Sequence, residues 1–189
     1  ANSWSGPQYG LVSEDKGASR VAVEGWLTLD AAKQVFSDAG LDFDAEKEKA
    51  MSGPYNKAMD ITASVTVKNT FKKSESNNVI ATLPGSAFAD DHIIYTAHWD
   101  HLGKDESKEG DQIYNGAHDN ATGSAAMIAM AKAYSSLTPR PKRSISFLVV
   151  TAEEQGLLGS KYYAANPVIP LEKTVANINM DAMNVLGKT

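Results

Sequence analysis

The chain has 189 residues, a hydrophobic content of 42% and a formal net charge of -5 at neutral pH. This size suits one α/β domain with a small appendage. The acidic balance argues against nucleic acid as a partner, because phosphate binding requires a basic face. No apolar run approaches the roughly 20 residues that a membrane-spanning helix needs. Cysteine is absent, which excludes disulfides, thiolate catalysis and cysteine-type zinc sites.

The first part of the chain predicts two short helices and two strands. Apolar residues recur at helical spacing over 29–39. A second helix is predicted over 44–51, with Asp44 as its N-cap. A short strand is suggested at 21–23, and apolar and polar residues alternate over 61–67, which predicts a half-buried strand.

Strands and helices alternate over the remainder of the chain. Strands are predicted at 79–83, 93–97, 145–151 and 175–180. Helices are predicted from about residue 122 and over 156–165, and the first has a buried stripe of Met127, Ile128, Ala131 and Tyr134. The long polar loop over 99–120 is of a kind that usually has a function. This alternation predicts an α/β fold, a three-layer α/β/α sandwich with a mixed, partly parallel sheet.

Three of the predicted strands are followed by side chains that can bind metals or protons. His98 ends one strand, with Asp100 two residues later; Glu153 and Glu154 follow the next, and Asp181 follows the last. Ligands of open α/β sheets bind outside the carboxyl ends of the strands. Several carboxylates gathered there would repel one another unless a cation lay among them.

Each of these residues, taken alone, also has an ordinary structural explanation. His98 and Asp100 could be a surface pair, Glu153 and Glu154 a solvated loop, and Asp181 a turn residue. Asp119 lies in a Gly-containing segment at a helix N-terminus, where an N-cap would explain it. Together the residues support metal-assisted hydrolysis, in which one glutamate binds metal and its neighbour accepts a proton from a metal-activated water. The remaining histidines are interpreted as non-site residues: His92 at the opposite sheet edge, and His101 and His118 in solvated loops.

Four segments together resemble the zinc peptidases of family M28, which include di-zinc aminopeptidases and glutamate carboxypeptidase II relatives. They are YTAHWDHLG over 95–103, GAHDNATG over 116–123, TAEEQGLLGS over 151–160 and ANINMD over 176–181. The similarity covers residues 58–189, and as an ordered set the segments are far more specific than any one of them.

The resemblance implies a site with two zinc ions and a role for each residue of the set. It implies one zinc held by His98 and Asp181, a second held by Glu154, Asp119 bridging both, Glu153 as general base and Asp100 supporting His98. It also implies a cis peptide bond between Asp119 and Asn120.

The resemblance further implies a domain organisation. Residues 1–35 resemble the tail of a protease-associated domain, and 36–189 an incomplete catalytic domain. The family supplies another histidine to the second zinc beyond the point where this chain ends, and none of His92, His101 or His118 matches its place. Because the chain starts at Ala1 and ends at Thr189, we expect a processed or truncated product. For this chain alone we expect weak or single-metal occupancy and little activity.

The leading functional hypothesis is a zinc-dependent aminopeptidase that removes N-terminal residues from peptide substrates. From the family resemblance, we expect an extracytoplasmic protein, either periplasmic or secreted. Two other enzyme classes stay open, a carboxypeptidase and a glutaminyl cyclase relative. A non-catalytic metal-binding or interaction module is the alternative from outside the enzymes.

Overall fold

The computed structural model describes residues 7–183, which divide into two compact units. One unit contains residues 13–73, and the other contains residues 7–12 with the chain from Ser74 onward. Of the two predicted domains, 1–35 begins and 36–189 ends outside the described residues. The domain boundary at residue 35 stays a prediction. Over residues 7–183, no helix combines the length and the apolar character that crossing a membrane requires.

The first unit contains two helices, α1 over Leu29–Asp38 and α2 over Phe43–Met51. The N-cap of α2 is Asp42, whose carboxylate accepts a hydrogen bond from the Ala45 N–H at 2.7 Å. The prediction that Asp44 is the N-cap of this helix is therefore wrong. Asp44 already lies inside the first turn, where its charge favours the positive end of the helix dipole.

Both strands predicted in this unit are wrong. Residues 13–73 contain no strand, and Val21, Val65 and Val67 are exposed to solvent. An alternating segment becomes a strand only when a neighbouring strand supplies partners for its backbone N–H and C=O groups. Residues 13–73 contain no such neighbouring strand, so the alternating segment 61–67 has no strand in this unit with which to form backbone hydrogen bonds.

The second unit is built on a four-stranded sheet, whose strands are β1 (Val79–Leu83), β2 (Phe88–His98), β5 (Arg143–Val150) and β6 (Thr174–Asn179). Across the sheet the strands lie in the order β1-β5-β2-β6. A separate antiparallel pair, β3 (Gly103–Lys104) and β4 (Ile113–Tyr114), lies in the predicted long loop. Strand β5 is antiparallel to β1, whereas β2 is parallel to both β5 and β6. The predicted mixed, partly parallel sheet is confirmed.

Helices α3 (Ala121–Ser135) and α4 (Leu158–Ala165) flank the two faces of this sheet, and a 3₁₀ helix (Leu171–Lys173) precedes β6. The face against α3 has a buried cluster of Ala97, Met127, Ile145 and Phe147. The opposite face has a buried cluster of Ile94, Leu148, Val150 and Ile169, against which Tyr163 of α4 packs. The three-layer arrangement is the predicted one, and each layer contact removes apolar side chains from water.

One residue of the predicted stripe on α3 faces solvent instead. Met127 is 3% exposed and Ala131 and Tyr134 pack against its cluster, but Ile128 is 74% exposed. Positions 127, 131 and 134 follow the i, i+4, i+7 spacing of one helix face. Ile128 is one residue, and hence about 100°, away from Met127, which places it outside that face.

The N-terminus of α4 lies against the loop after β5 with no room for a side chain. The Gly159 N–H donates to the carbonyl oxygen of Thr151 at 3.0 Å. A Cβ added at Gly159 would lie 2.3 Å from that oxygen and 2.6 Å from the Asn78 side-chain oxygen. We expect Gly159→Ala to lower the free energy of unfolding by about 1–3 kcal/mol, measured by urea denaturation. Ser160→Ala, on the same helix, is the control, and equal stability of the two variants would contradict the close packing.

Candidate metal centre

The carboxyl ends of β2, β5 and β6 meet at one edge of the sheet, because these three strands are parallel. Backbone hydrogen bonds continue past the strand ends. The Trp99 N–H donates to the Val150 carbonyl at 3.0 Å, and the Met180 N–H donates to the Thr96 carbonyl at 2.8 Å. The segments that carry the candidate residues are thereby fixed to the sheet, which is the rigid support that a binding site needs.

His98 is the buried residue at the centre of this edge, with 3% of its surface exposed. Its Nδ1 donates to the Asp100 backbone carbonyl at 3.0 Å, so the neutral ring carries its lone pair on Nε2. That Nε2 lies 3.0 Å from an Asp119 carboxylate oxygen and 3.2 Å from one of Asp181. Lone pairs of three atoms therefore face one another, an arrangement that requires a cation or a second proton on the ring.

The ionisation of the neighbouring groups reflects the same crowding. Burial alone would lower the pKa of His98, but the hydrogen bond to Asp100 and the charges of Glu153 and Asp181 raise it above its usual value. Burial raises the pKa of Glu153, and the carboxylates of Asp181 and Glu154 act in the same direction, although His98 opposes them. Both shifts follow from a pocket that disfavours further negative charge and favours positive charge.

Asp100 joins the loops that follow β2 and β5. Its two carboxylate oxygens accept from the backbone N–H groups of Glu153 at 3.0 Å and Glu154 at 3.3 Å. The Asp100 backbone carbonyl accepts a hydrogen bond from His98 Nδ1, whereas the nearer Asp100 carboxylate oxygen lies 3.8 Å from that nitrogen. Backbone donors from the second loop occupy the carboxylate, so Asp100 acts on the site by holding both glutamates in place.

Asp119 is held in the site by its neighbour Asn120, and a cis peptide bond joins the two, as the resemblance implied. Asn120 is the N-cap of α3, since its side-chain oxygen accepts from the Gly123 N–H at 2.9 Å. Its amide also donates to the Met180 carbonyl at 2.9 Å. The N-cap explanation for Asp119 is therefore wrong. One buried Asp119 carboxylate oxygen has no hydrogen-bond partner within residues 7–183, although His98 is near.

Two groups of potential metal ligands meet at this edge, and Asp119 belongs to both. The first is His98, Asp119 and Asp181; the second is His101, Asp119 and Glu154, and within each group the ligand atoms lie within 4.8 Å of one another. Imidazole nitrogens with carboxylate oxygens form a donor set that zinc accepts without any thiolate. The buried, unpartnered Asp119 oxygen fits a shared metal ligand, because a cation would satisfy it.

His101 is the residue that the sequence analysis missed. The sequence predicts a solvated loop residue, but the His101 side chain is 23% exposed and its Nδ1 lies 2.5 Å from a Glu154 carboxylate oxygen. Its place three residues after His98 was the available signal, but spacing within a loop does not fix a side-chain direction.

His118 is exposed and donates to the Met183 carbonyl at 3.0 Å, and His92 contacts Ser146 near the other end of β2.

A histidine and several carboxylates at the carboxyl edge of a mixed α/β sheet form a site of the kind that can bind a metal ion. The chain belongs to Peptidase family M28, whose family model matches residues 78–189.

Known proteins similar to the chain are longer than it. Mouse Aminopeptidase NAALADL1 is 33% identical over 122 residues, which are 62% of this chain and 15% of that protein. A Probable zinc metalloprotease of Pyricularia oryzae is 30% identical over 131 residues, 67% of this chain and 25% of that protein. The structure of a Peptidase M28 precursor from Shewanella amazonensis is 38% identical with a TM-score of 0.47, and the match covers 55% of this chain and 22% of that one. The chain therefore spans a quarter or less of these relatives.

Proposed function

We propose that the protein is a zinc-dependent exopeptidase that releases N-terminal residues from peptides. The observation that carries this proposal is the pair of overlapping ligand groups that share Asp119 at the carboxyl edge of the sheet. Membership of Peptidase family M28 and the names of the relatives, an aminopeptidase and a probable zinc metalloprotease, support it. His98 and Asp181 would hold one zinc ion, Glu154 the other, and Asp119 both.

Zinc bound in these groups would acidify a water molecule and polarise the scissile carbonyl. Glu153 is the residue available to move the proton. A carboxylate oxygen of Glu153 lies 3.8 Å from His98 Nε2, at the border of the first ligand group, and does not belong to either group. It would accept a proton and then transfer it to the leaving amine, as a general base that becomes a general acid. Asp100 would serve as a positioning residue, because it holds the Glu153 and Glu154 backbone.

A cleft of about 370 Å³ opens from these residues along the face of the sheet that α4 covers. Glu153, His98 and Asp181 lie in its wall, and Leu157, Tyr163 and Leu171 supply an apolar part. A polar reactive end joined to an apolar surface suits a peptide, whose scissile bond needs the polar groups and whose side chain needs apolar contact. Peptides are therefore the proposed substrate class.

A panel of peptides would test the proposal on the full-length, zinc-loaded protein. We expect the free amino terminus to be essential, so that N-terminal acetylation abolishes the release of the first residue. Cleavage of acetylated peptides from the carboxyl end would establish a carboxypeptidase instead. Cyclisation of N-terminal glutamine without hydrolysis would establish a glutaminyl cyclase relative. Zinc binding without any turnover would indicate the binding module.

The cellular location belongs to the same proposal. We infer an extracytoplasmic protein from the family resemblance alone, and cell fractionation with an antibody to the chain would test it. Recovery of the protein in the cytoplasmic fraction would contradict this location without affecting the proposed chemistry.

A further inference from the structure

We infer that Asn78 is a positioning residue for the proposed hydrolysis, because its side chain clamps both ends of the loop that carries Glu153 and Glu154. This loop, residues 151–159, is the glutamate loop. The inference rests on the proposed function, since that function assigns the proton transfer to Glu153. Asn78 directly precedes β1, which is antiparallel to β5. The start of β1 therefore lies beside the end of β5, where the glutamate loop begins.

The first step is the pair of hydrogen bonds that the Asn78 side chain makes. Its oxygen accepts from the Thr151 N–H at 3.0 Å, and its amide nitrogen donates to the Gly159 carbonyl at 2.8 Å. Thr151 and Gly159 are the first and last residues of the glutamate loop, and the Gly159 N–H donates to the Thr151 carbonyl at 3.0 Å. A carboxamide offers an acceptor and a donor on separate atoms, so one side chain closes the loop at both ends.

The second step is the space that this clamp needs. A Cβ at Gly159 would lie 2.6 Å from the Asn78 side-chain oxygen. Glycine at this position therefore lets the carboxamide lie directly against the backbone of the loop. Asn78 is half-buried, whereas residues 71–77 before it are exposed. A polar group that has lost part of its water needs its hydrogen bonds, which favours the clamped arrangement over an open one.

The third step is that the two residues before Asn78 contact the same region. The hydroxyls of Ser76 and Thr151 share a hydrogen bond of 2.7 Å, and the Asn77 carbonyl accepts from the Trp99 indole N–H at 3.2 Å. Trp99 is the residue that follows β2. The segment before β1 therefore holds the chain after β2 as well as the chain after β5.

The fourth step is the connection from the clamp to the reacting groups. Asp100 holds the glutamate loop at the N–H groups of Glu153 and Glu154, and Asn78 holds it at its two ends. The described residues that line the cleft do not include Asn78, so it acts on the reaction through the loop. Loss of the clamp should lower kcat more than it raises KM, because a misplacement of about 1 Å can cost roughly 10²-fold in rate.

The test compares variants of the full-length, zinc-loaded protein on an unblocked peptide, with zinc in excess. Asn78→Ala should lower kcat by about 10-fold to 10²-fold and change KM less. Hydrogen exchange, followed by mass spectrometry, should be faster in residues 151–159, because the loop opens more often. Thr82→Val, also on the β1 segment, is the matched control. It removes the 2.9 Å hydrogen bond between the Thr82 and Ser146 hydroxyls and leaves the clamp intact.

Asn78→Asp separates the hydrogen bonds from the shape of the side chain, and it serves as well if Asn78→Ala does not fold. Its carboxylate can accept from the Thr151 N–H but cannot donate to the Gly159 carbonyl, so its kcat should fall too. A kcat equal to that of wild type in either variant, or an equal loss in Thr82→Val, would overturn the inference. In those cases hydrolysis by wild type would still support the proposed function.

A full-length, zinc-loaded wild type that hydrolyses no peptide would instead overturn the proposed function, and with it the positioning role in hydrolysis. The exchange measurement would then still decide whether Asn78 clamps the glutamate loop. Unchanged exchange in both Asn78 variants would show that it does not.

Discussion

Glu153→Ala in the full-length protein is expected to reduce peptide hydrolysis by at least about 10²–10⁴-fold, the contribution of a positioned general base. Bound zinc should stay nearly unchanged, because Glu153 belongs to neither ligand group. The carboxylate is close enough to take part in chemistry, since one of its oxygens lies 3.8 Å from the His98 nitrogen that faces the first group. Initial rates on an unblocked peptide, with zinc content of the same sample, measure both quantities.

Two further observations would decide whether Glu153 is a base or a ligand. Glu153→Gln keeps the size of the side chain but cannot accept the proton, so its rate should be as low as that of Glu153→Ala. Substantial loss of zinc from either variant would count against the base assignment and indicate a ligand. A rate close to that of wild type, with zinc retained, would remove Glu153 from the mechanism.

The edge of the sheet that carries the site could be predicted from the sequence for a physical reason. The apolar runs that became β2, β5 and β6 are long enough to identify as strands, and parallel strands bring their carboxyl ends to one edge. His98 ends β2, and Glu153 and Asp181 come within three residues after β5 and β6, so their proximity follows largely from the topology of the sheet.

Features that depend on contacts between distant segments could not be predicted in the same way. The alternation at 61–67 indicates a strand only if a partner exists, and the sequence does not say whether one does. The carboxylate of Asp100 turns to backbone donors 53 and 54 positions away, which no local pattern encodes. The direction of the His101 side chain depends on Gly116 and Tyr114, which lie close to it although they come from the far end of the same loop.

The charge of the site explains why a metal would also contribute to stability. Asp119, Glu153, Glu154 and Asp181 lie around the imidazoles of His98 and His101. Carboxylates at such distances repel one another, and a buried oxygen of Asp119 has no hydrogen bond within residues 7–183. A ligand that binds only the folded state stabilises it by RT ln(1 + [L]/Kd), about 2.7 kcal/mol at 100 times Kd for one site. Zinc should therefore raise the melting temperature of the chain.

Asp119→Asn is expected to remove most of that zinc-dependent stabilisation, because Asp119 is the residue that both ligand groups share. The change keeps the shape of the side chain and removes a negative charge, so both equivalents of metal should be weakened together. Without zinc, the variant should melt at or above the temperature of wild type, since repulsion in the site is reduced. Asp181→Asn is the matched control: Asp181 belongs to the first group alone, so half of the metal should remain. Differential scanning calorimetry with and without zinc measures each shift. An Asp119→Asn chain that still binds two ions would show that Asp119 does not bridge the two groups.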